Sequence, residues 1–184
     1  MRLTHERIES PAWSPDGSSI AGLVRRESSS QPAIVGVGAD MSAHVIPNSP
    51  ICWTPLDWSL TGEWLACDTP FGVALFSPDG SKSKYVRTVH AAAVAFSRDG
   101  RTLFGVGKDR GRSFLKSIDI ATGDVQVVAD YGTELTISGG LPFHTRLSMA
   151  PDGRSLATSA VTMKSDLWLL DGYPMPRPWW KLWR

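Results

Sequence analysis

The residue types that carry out catalysis are few and scattered in this sequence. The motif Gly-x-Ser-x-Gly, which places a nucleophilic serine on a sharp turn, does not occur. The stretch GVGKDRG at 105–111 has the glycines of a phosphate-binding loop but lacks the Gly-Lys-Ser/Thr ending. The histidines are isolated, with no second histidine four residues away, and they are His5, His44, His90 and His144. We therefore predict that the chain is not an enzyme and holds no metal or cofactor.

Cysteine chemistry is limited as well, because Cys52 and Cys67 are the only cysteines of the chain. Two cysteines cannot complete a tetrahedral zinc site or build a framework of several disulfides. A reduced cysteine behaves as a small apolar side chain and is among the residues most often buried. The sequence therefore predicts two buried thiols.

The charge balance and the apolar pattern narrow the classes of partner. The formal net charge of the 184 residues is +1, so no broad basic surface for nucleic acid is expected. No stretch reaches the roughly 18 apolar residues of a membrane-spanning helix. The first residues, MRLTHERIESPAW, lack the apolar core of a signal peptide. We expect a cytoplasmic protein, or a periplasmic one if an export signal precedes this chain.

Aspartates recur in one turn motif, and this motif points to a repeat. SPDG occurs at 14–17 and 77–80, SRDG at 97–100 and APDG at 150–153. In such turns proline presets the first corner, aspartate accepts local N–H groups and glycine adopts a positive φ without strain. One aspartate in each turn is the pattern of a structural residue, so these carboxylates are predicted to hold turns and not to bind ligands.

The residues around each glycine separate true copies of the repeat from a false one. In a true copy, a large apolar residue stands four positions before the glycine and an aliphatic residue three positions after it. Gly80 fails this test, because Ser83 and Lys84 follow it. It is predicted to lie in another turn of its unit, equivalent to ATGD at 121–124. The anchor glycines are Gly17, Gly62, Gly100 and Gly153, which lie 45, 38 and 53 residues apart.

A period of about 45 residues is typical of propellers and related arrays. Each unit contains several short strand-like stretches and no convincing helical period, which favours one four-stranded blade per unit. We predict an all-β fold, a β-propeller of about four four-stranded blades. The predicted blades span about 10–50, 51–90, 91–140 and 141–173, and a Pro/Trp-rich basic tail spans 174–184.

Three segments resemble the WD-repeat-like blades of TolB-type β-propellers. They are PAWSPDGSSIA at 11–21, VAFSRDGRTLF at 94–104 and LSMAPDGRSLATSA at 147–160. SDLWLLDG at 165–172 is similar to the third strand of a last blade in that family. The resemblance implies that the chain is part of a larger six- or seven-bladed propeller. Residues 2–9 are then the outer strand of an earlier blade, or they complete a closed four-bladed ring.

The resemblance also implies a function in binding. Propellers of this type serve as non-catalytic scaffold or sensor domains, and in bacterial signalling proteins they follow a winged-helix DNA-binding domain or a Ser/Thr kinase. We therefore expect the C-terminal region of a bacterial transcriptional regulator or kinase. The alternatives are the gate domain of a prolyl-oligopeptidase-type hydrolase and a periplasmic TolB-like envelope protein.

Loops on the faces of a propeller are where partners bind. Three loops are candidates here, at 25–31, 108–112 and 131–145. Arg110 and Arg112 in the second loop are predicted contacts for a protein or peptide on a blade face. We expect no direct binding of nucleic acid and no transmembrane segment.

The segment WWKLWR at 179–184 combines tryptophans with basic residues. Trp179, Trp180 and Trp183 are predicted to dock in the groove of a partner or, weakly, on a membrane interface. The competing interpretation is that this tail packs on the propeller itself.

Overall fold

A computed structural model describes residues 7–26, 29–38, 42–133 and 145–159. These residues form fourteen strands in four antiparallel sheets, and each sheet uses strands that follow one another in the chain. The first sheet contains β1 (Ile8–Trp13), β2 (Ser19–Arg26), β3 (Ser29–Gly36) and β4 (Ala43–Val45). The second contains β5 (Asp57–Trp58), β6 (Leu65–Thr69), β7 (Gly72–Phe76) and β8 (Ser83–Val86). The third contains β9 (Ala93–Phe96), β10 (Thr102–Asp109), β11 (Arg112–Asp119) and β12 (Val125–Gly132).

The fourth sheet contains, within the described residues, β13 (Leu147–Met149) and β14 (Leu156–Thr158). No helix occurs in the described ranges. Accordingly, nothing in them has the helical length and apolar character needed to cross a membrane.

The anchor glycines form the turn between the first and second strands of every sheet. Their φ angles lie between 68° and 77°, a region that is strained for residues with a Cβ atom. In the first turn the Gly17 N–H donates to the Ser14 carbonyl over 3.0 Å. The Ser18 N–H and the Ser14 hydroxyl donate to Asp16, which lowers the pKa of this carboxyl to about 2. The prediction that Asp16 holds a turn is confirmed.

The four anchor turns lie side by side, which arranges the sheets around a common axis. A Cβ atom built on Gly62 would lie 3.9 Å from Pro15 in the first turn, and one built on Gly100 would lie 2.8 Å from Thr61 in the second. A Cβ atom built on Gly153 would lie 3.6 Å from Arg98 in the third turn. The sheets are therefore the blades of an all-β propeller of about four blades, as the sequence predicted.

The two faces of the propeller follow from this arrangement. We call the side formed by the anchor turns the anchor-turn face. Because the strands of each blade are antiparallel, the hairpins between second and third strands lie at the opposite side, together with the connections between blades. We call that side the loop face.

Apolar side chains fill the space between neighbouring blades. Along β10, Leu103 packs towards blade 2, whereas Phe104 and Val106 pack towards blade 4, as the alternation of a strand requires. Each fully buried aliphatic or aromatic side chain contributes about 1.5–3 kcal/mol. The cluster between blades 1 and 2 includes Leu23, Leu65 and Phe76. The cluster between blades 2 and 3 includes Leu75, Leu103 and Ile118.

The turn at 77–80 joins β7 to β8, the third and fourth strands of blade 2. The turn at 121–124 joins the equivalent strands of blade 3, so the separate placement of Gly80 is confirmed. Locally, however, the Gly80 turn has the same geometry as the Gly17 turn. Its φ is also 71°, the Gly80 N–H donates to the Ser77 carbonyl over 3.0 Å, and the Ser77 hydroxyl donates to Asp79.

Ile8 and Glu9 do not have either of the roles predicted for residues 2–9. They pair with β2 and so extend the inner strand of blade 1. A register shift follows Glu9, and Ser10 has a φ of 55°, so a β-bulge carries the strand past Pro11. The prediction was wrong for these two residues because the repeat segment was recognised only from Pro11 onwards. Residues 2–6 lie outside the described residues.

The cysteines are buried, as predicted, but they are not free thiols. Cys52 and Cys67 form a disulfide with their Cα atoms 5.8 Å apart. The connection from blade 1 to blade 2 returns along β6, where the Trp53 N–H donates to the Asp68 carbonyl over 2.8 Å. This course of the connection places Cys52 against Cys67. The repeat pattern does not predict the course of a connection between blades, so the sequence analysis missed the bond.

Candidate functional site

The inner strands of the blades line a space along the axis, which we call the axial channel. Its part towards the anchor-turn face is a cavity of about 360 Å³, lined mainly by apolar side chains such as Trp58, Phe96 and Leu147. Its part towards the loop face is a cavity of about 200 Å³. Asp57, Leu147 and Ser148 line both parts, so they lie near the middle of the axis.

Asp57 is the carboxyl group of this channel and connects blade 2 to blade 3. Its Oδ2 atom accepts a hydrogen bond from the Phe96 N–H over 2.7 Å. Burial raises the pKa of Asp57 to about 6, although the backbone N–H groups of Phe96 and Trp58 act in the opposite direction. Within the described residues no group of three or more His, Cys, Asp or Glu side chains is placed to hold a metal ion. Among the described residues that line the channel, Asp57 is the one that carries a carboxyl group.

Replacing Asp57 with asparagine is expected to remove part of the pH dependence of stability. A carboxyl whose pKa rises on folding contributes stability that is fully present below the unfolded value of 3.8 and is lost as the pH rises through about 6. Asparagine keeps an oxygen acceptor for the Phe96 N–H and has no charge to bury. Between about pH 4 and about pH 7, Asp57→Asn should therefore gain about 1–2 kcal/mol over the unchanged chain in urea unfolding.

The control for this prediction is internal to the chain. Burial also raises the pKa of Asp68, and this second carboxyl is present in both proteins, so its effect cancels in the comparison. Identical pH profiles for the two proteins would show that the Asp57 carboxyl does not titrate abnormally.

Arg110 and Arg112, the two arginines predicted as contacts, lie on the loop face in the β10–β11 hairpin. The Arg112 guanidinium donates to the Asp130 carboxylate over 3.2 and 2.7 Å, which holds its side chain against β12. Arg110 is exposed and forms no ion pair with a described residue. Of the two, Arg110 is therefore the side chain available to a partner. Trp179, Trp180 and Trp183 lie outside the described residues, as does 134–144 of the third predicted loop.

Arg110 has an unfavourable backbone conformation for its type. The hairpin has two loop residues, Arg110 with a φ of 47° and Gly111 with a φ of 81°, which is the turn that prefers Asn-Gly. We expect Arg110→Asn to raise the free energy of unfolding by about 0.5–1 kcal/mol, measured by thermal unfolding. Arg112→Asn is the matched control, because it breaks the pair with Asp130 and relieves no strain. Equal midpoints for the two variants would contradict the strain argument.

The loop face also exposes apolar side chains that the sequence did not single out. Trp53 is 61% exposed, Phe71 63% and Ile51 48%. In the sequence they are indistinguishable from core residues, since each stands in an apolar or turn-rich context. A predicted disulfide at Cys52 would have pointed to a fixed backbone beside Trp53. The count of two cysteines did not predict that bond.

No protein-family model matches this chain, and no curated protein matches it either. Solved structures do. The chain is similar to TolB from Acinetobacter baumannii, with a TM-score of 0.58 and 16% identity over 85% of this chain and 37% of that one. It is similar to a putative TolB from Agrobacterium tumefaciens, with a TM-score of 0.63 and 14% identity over 88% of this chain and 61% of that one.

A third similar structure is a nidogen/laminin complex, with a TM-score of 0.64 and 10% identity over 85% of this chain. The chain covers 37%, 61% and 58% of the three matched chains. At these identities the likeness defines the fold alone. The class of protein is thus the β-propeller, and within it the fold is TolB-like.

Proposed function

We propose that this chain is a non-catalytic binding module that presents its loop face to a protein or peptide. The observation that carries this proposal is the exposed side chain of Trp53 on a fixed backbone. The neighbouring Cys52 is bonded to Cys67, the Trp53 N–H donates to the Asp68 carbonyl, and the Asp68 N–H donates to the Thr54 hydroxyl over 2.8 Å. An aromatic side chain held in this way loses little conformational entropy on binding and suits the centre of a protein interface.

The axial channel supports the same function. The described residues that line it include the Asp57 carboxyl but no nucleophile paired with a base, so it does not resemble a hydrolytic site. We therefore propose that the channel stiffens the scaffold and that binding takes place at the loop face. Rigid blades fix several loops in one arrangement, and preorganisation of this kind improves affinity by lowering the entropy lost on association.

A photo-crosslinking experiment in cells tests the proposed function. The photoreactive amino acid p-benzoyl-phenylalanine replaces Trp53 in one protein and Leu60, on the anchor-turn face, in another. Leu60 is 60% exposed against 61% for Trp53, so the two positions are matched in access to solvent. We expect a discrete protein adduct from position 53 and none from position 60. No adduct from position 53, or the same adducts from both positions, would contradict the proposal.

We also propose that the propeller is the sensor part of a bacterial signalling protein, a transcriptional regulator or a Ser/Thr kinase, and that it belongs to a larger propeller. The resemblance of the repeat segments supports this context. The Cys52–Cys67 disulfide supports an oxidising compartment, and so it favours the periplasmic alternative over the cytoplasm. If protein that is denatured directly from cells in the presence of a thiol-alkylating reagent is modified at both cysteines, the compartment is reducing and this part of the proposal fails.

A further inference from the structure

Three segments of the loop face contact one another and form a continuous surface across blades 1 to 3. The segment with Trp53 is bonded through its backbone to Asp68 in β6. The Asp68 carboxylate contacts His90 Nδ1 over 3.2 Å, which brings in the connection from blade 2 to blade 3. A Cβ atom built on Gly107 in β10 would lie 2.9 Å from the His90 carbonyl oxygen. The surface therefore reaches from Trp53 to the end of the β10–β11 hairpin.

The tip of the β6–β7 hairpin belongs to the same surface. The Phe71 N–H donates to the Thr69 hydroxyl over 3.1 Å, and this hydroxyl donates to the Gly72 carbonyl over 2.7 Å. A Cβ atom built on Gly72 would lie 2.9 Å from the Arg87 Cα atom, so the hairpin packs directly on the following connection. We call the exposed side chains of this surface the loop-face band; they are Ile51, Trp53, Phe71, Arg87, Lys108 and Arg110.

The loop-face band has an excess of positive charge. The acidic residues beside it are already paired, Asp68 with His90, Asp109 with Lys116 over 3.2 Å and Asp130 with Arg112 over 2.7 Å. Arg87, Lys108 and Arg110 are exposed and pair with no carboxylate of the described residues. The band thus combines apolar side chains at the blade 1–2 end with unpaired cations at the blade 2–3 end.

The anchor-turn face differs, because it carries several ionised carboxylates. Hydrogen bonds from backbone N–H groups and neighbouring hydroxyls lower the pKa of four turn aspartates, so these carboxylates are ionised at neutral pH. The four are Asp16, Asp79, Asp99 and Asp119. These carboxylates stand beside the basic residues of the same face, such as Arg101 next to Asp99, whereas the cations of the loop-face band have no carboxylate partner among the described residues.

We infer that the loop-face band binds an acidic polypeptide segment that carries an apolar anchor residue. The inference rests on the proposed function, because it names the chemistry of that partner. The anchor covers Trp53 and Phe71, and the carboxylates that follow it reach Arg87, Lys108 and Arg110. A linear chain can follow the band, since Arg87 lies beside the hairpin that carries Phe71, and Lys108 and Arg110 lie farther along, in the β10–β11 hairpin. Binding to a lipid bilayer would require the apolar side chains to insert below the head groups while the cations contact the charged head groups above them.

Selection from a random peptide library displayed on phage tests the inference with the disulfide-intact chain. The peptides that are enriched should be rich in Asp and Glu and contain Trp, Phe or Leu. A selected peptide, labelled with fluorescein, should bind about tenfold more weakly to Arg110→Glu and at least about tenfold more weakly to Trp53→Ser. Its affinity should also fall as the salt concentration rises.

Matched variants on the anchor-turn face control for general damage. Trp13 is 58% exposed, close to the 61% of Trp53, and Arg154 is an exposed arginine of the fourth anchor turn. Trp13→Ser and Arg154→Glu should bind the peptide like the unchanged chain. Circular dichroism and the unfolding midpoint of each variant show whether it has kept its fold.

The outcomes separate this inference from the proposed function. The inference is overturned if neutral or basic peptides are enriched, or if Trp53→Ser and Arg110→Glu leave the affinity unchanged. In either case, a crosslink from position 53 still supports the proposed function. No enriched peptide together with no crosslink overturns both. Sedimentation with phosphatidylcholine vesicles, with and without phosphatidylserine, covers the lipid alternative. If the chain sediments only with vesicles that contain phosphatidylserine, loses this binding in the same variants and selects no acidic peptides, the inference is overturned in favour of a membrane.

Discussion

Removal of the Cys52–Cys67 disulfide is expected to lower the free energy of unfolding by about 3 kcal/mol. The two residues are fifteen positions apart, and opening a loop of that length returns conformational freedom to the unfolded chain. Cys52 is 2% exposed and Cys67 is fully buried, so a variant with Cys52→Ala and Cys67→Ala loses the bond and also the packing of two buried sulfur atoms. Urea unfolding of the double variant and of the unchanged chain measures the difference.

Reduction supplies the control for this prediction. Dithiothreitol should shift the midpoint of the unchanged chain towards that of the double variant and leave the double variant as it is. The loss of the bond should also free the segment that carries Trp53, so that acrylamide quenches the tryptophan fluorescence of the chain more effectively in the double variant. If the two proteins unfold at the same urea concentration under oxidising conditions, the bond does not hold this connection to β6.

The repeat could be predicted from the sequence because its signal is local. A reversal of the chain into a tight turn needs a residue that tolerates a positive φ, and glycine supplies it wherever the turn lies. Gly62 was found although its turn has no aspartate. The structure explains why, since the Thr61 and Ser59 hydroxyls lie 3.1 Å apart and the Trp64 N–H donates to Ser59 over 3.0 Å. The hydroxyl of Thr61 takes the place of the carboxylate, and the flanking apolar residues still mark the unit.

The disulfide and the loop-face band could not be predicted, because both depend on how connections fold back over other blades. Nothing in the order of residues shows that the segment around Cys52 returns along β6, or that Phe71 and Arg87 become neighbours. Asp57 left a weak signal, a carboxyl between Leu56 and Trp58 at the start of an inner strand. Its pKa depends on the burial that the surrounding blades create, which a single sequence does not contain.

Packing between blades also sets the stability cost of a substitution in a turn, and two turns with the same SPDG sequence are expected to differ strongly in that cost. Gly17 and Gly80 both end an SPDG motif, and both have a φ of 71°. A Cβ atom built on Gly17 meets nothing within 4 Å, whereas one built on Gly80 would collide with the Pro47 carbonyl group of blade 1, 2.9 Å from its carbon atom. We expect Gly17→Ala to cost about 1 kcal/mol through its backbone strain alone. Gly80→Ala should cost about 3 kcal/mol, because the collision adds to the same strain.

Chemical denaturation of the two variants measures this difference directly, and each variant is the control for the other. The strain of an alanine at positive φ is common to both, so the excess cost of Gly80→Ala reports the contact between blades 1 and 2. Pro47 follows the outer strand of blade 1, and we expect the blades to unfold together. The excess cost of Gly80→Ala should therefore appear as a lower denaturant midpoint without a change in the slope of the transition. Equal costs for the two substitutions would mean that blade 1 does not pack against the outer turn of blade 2, and the radial packing at this position would be wrong.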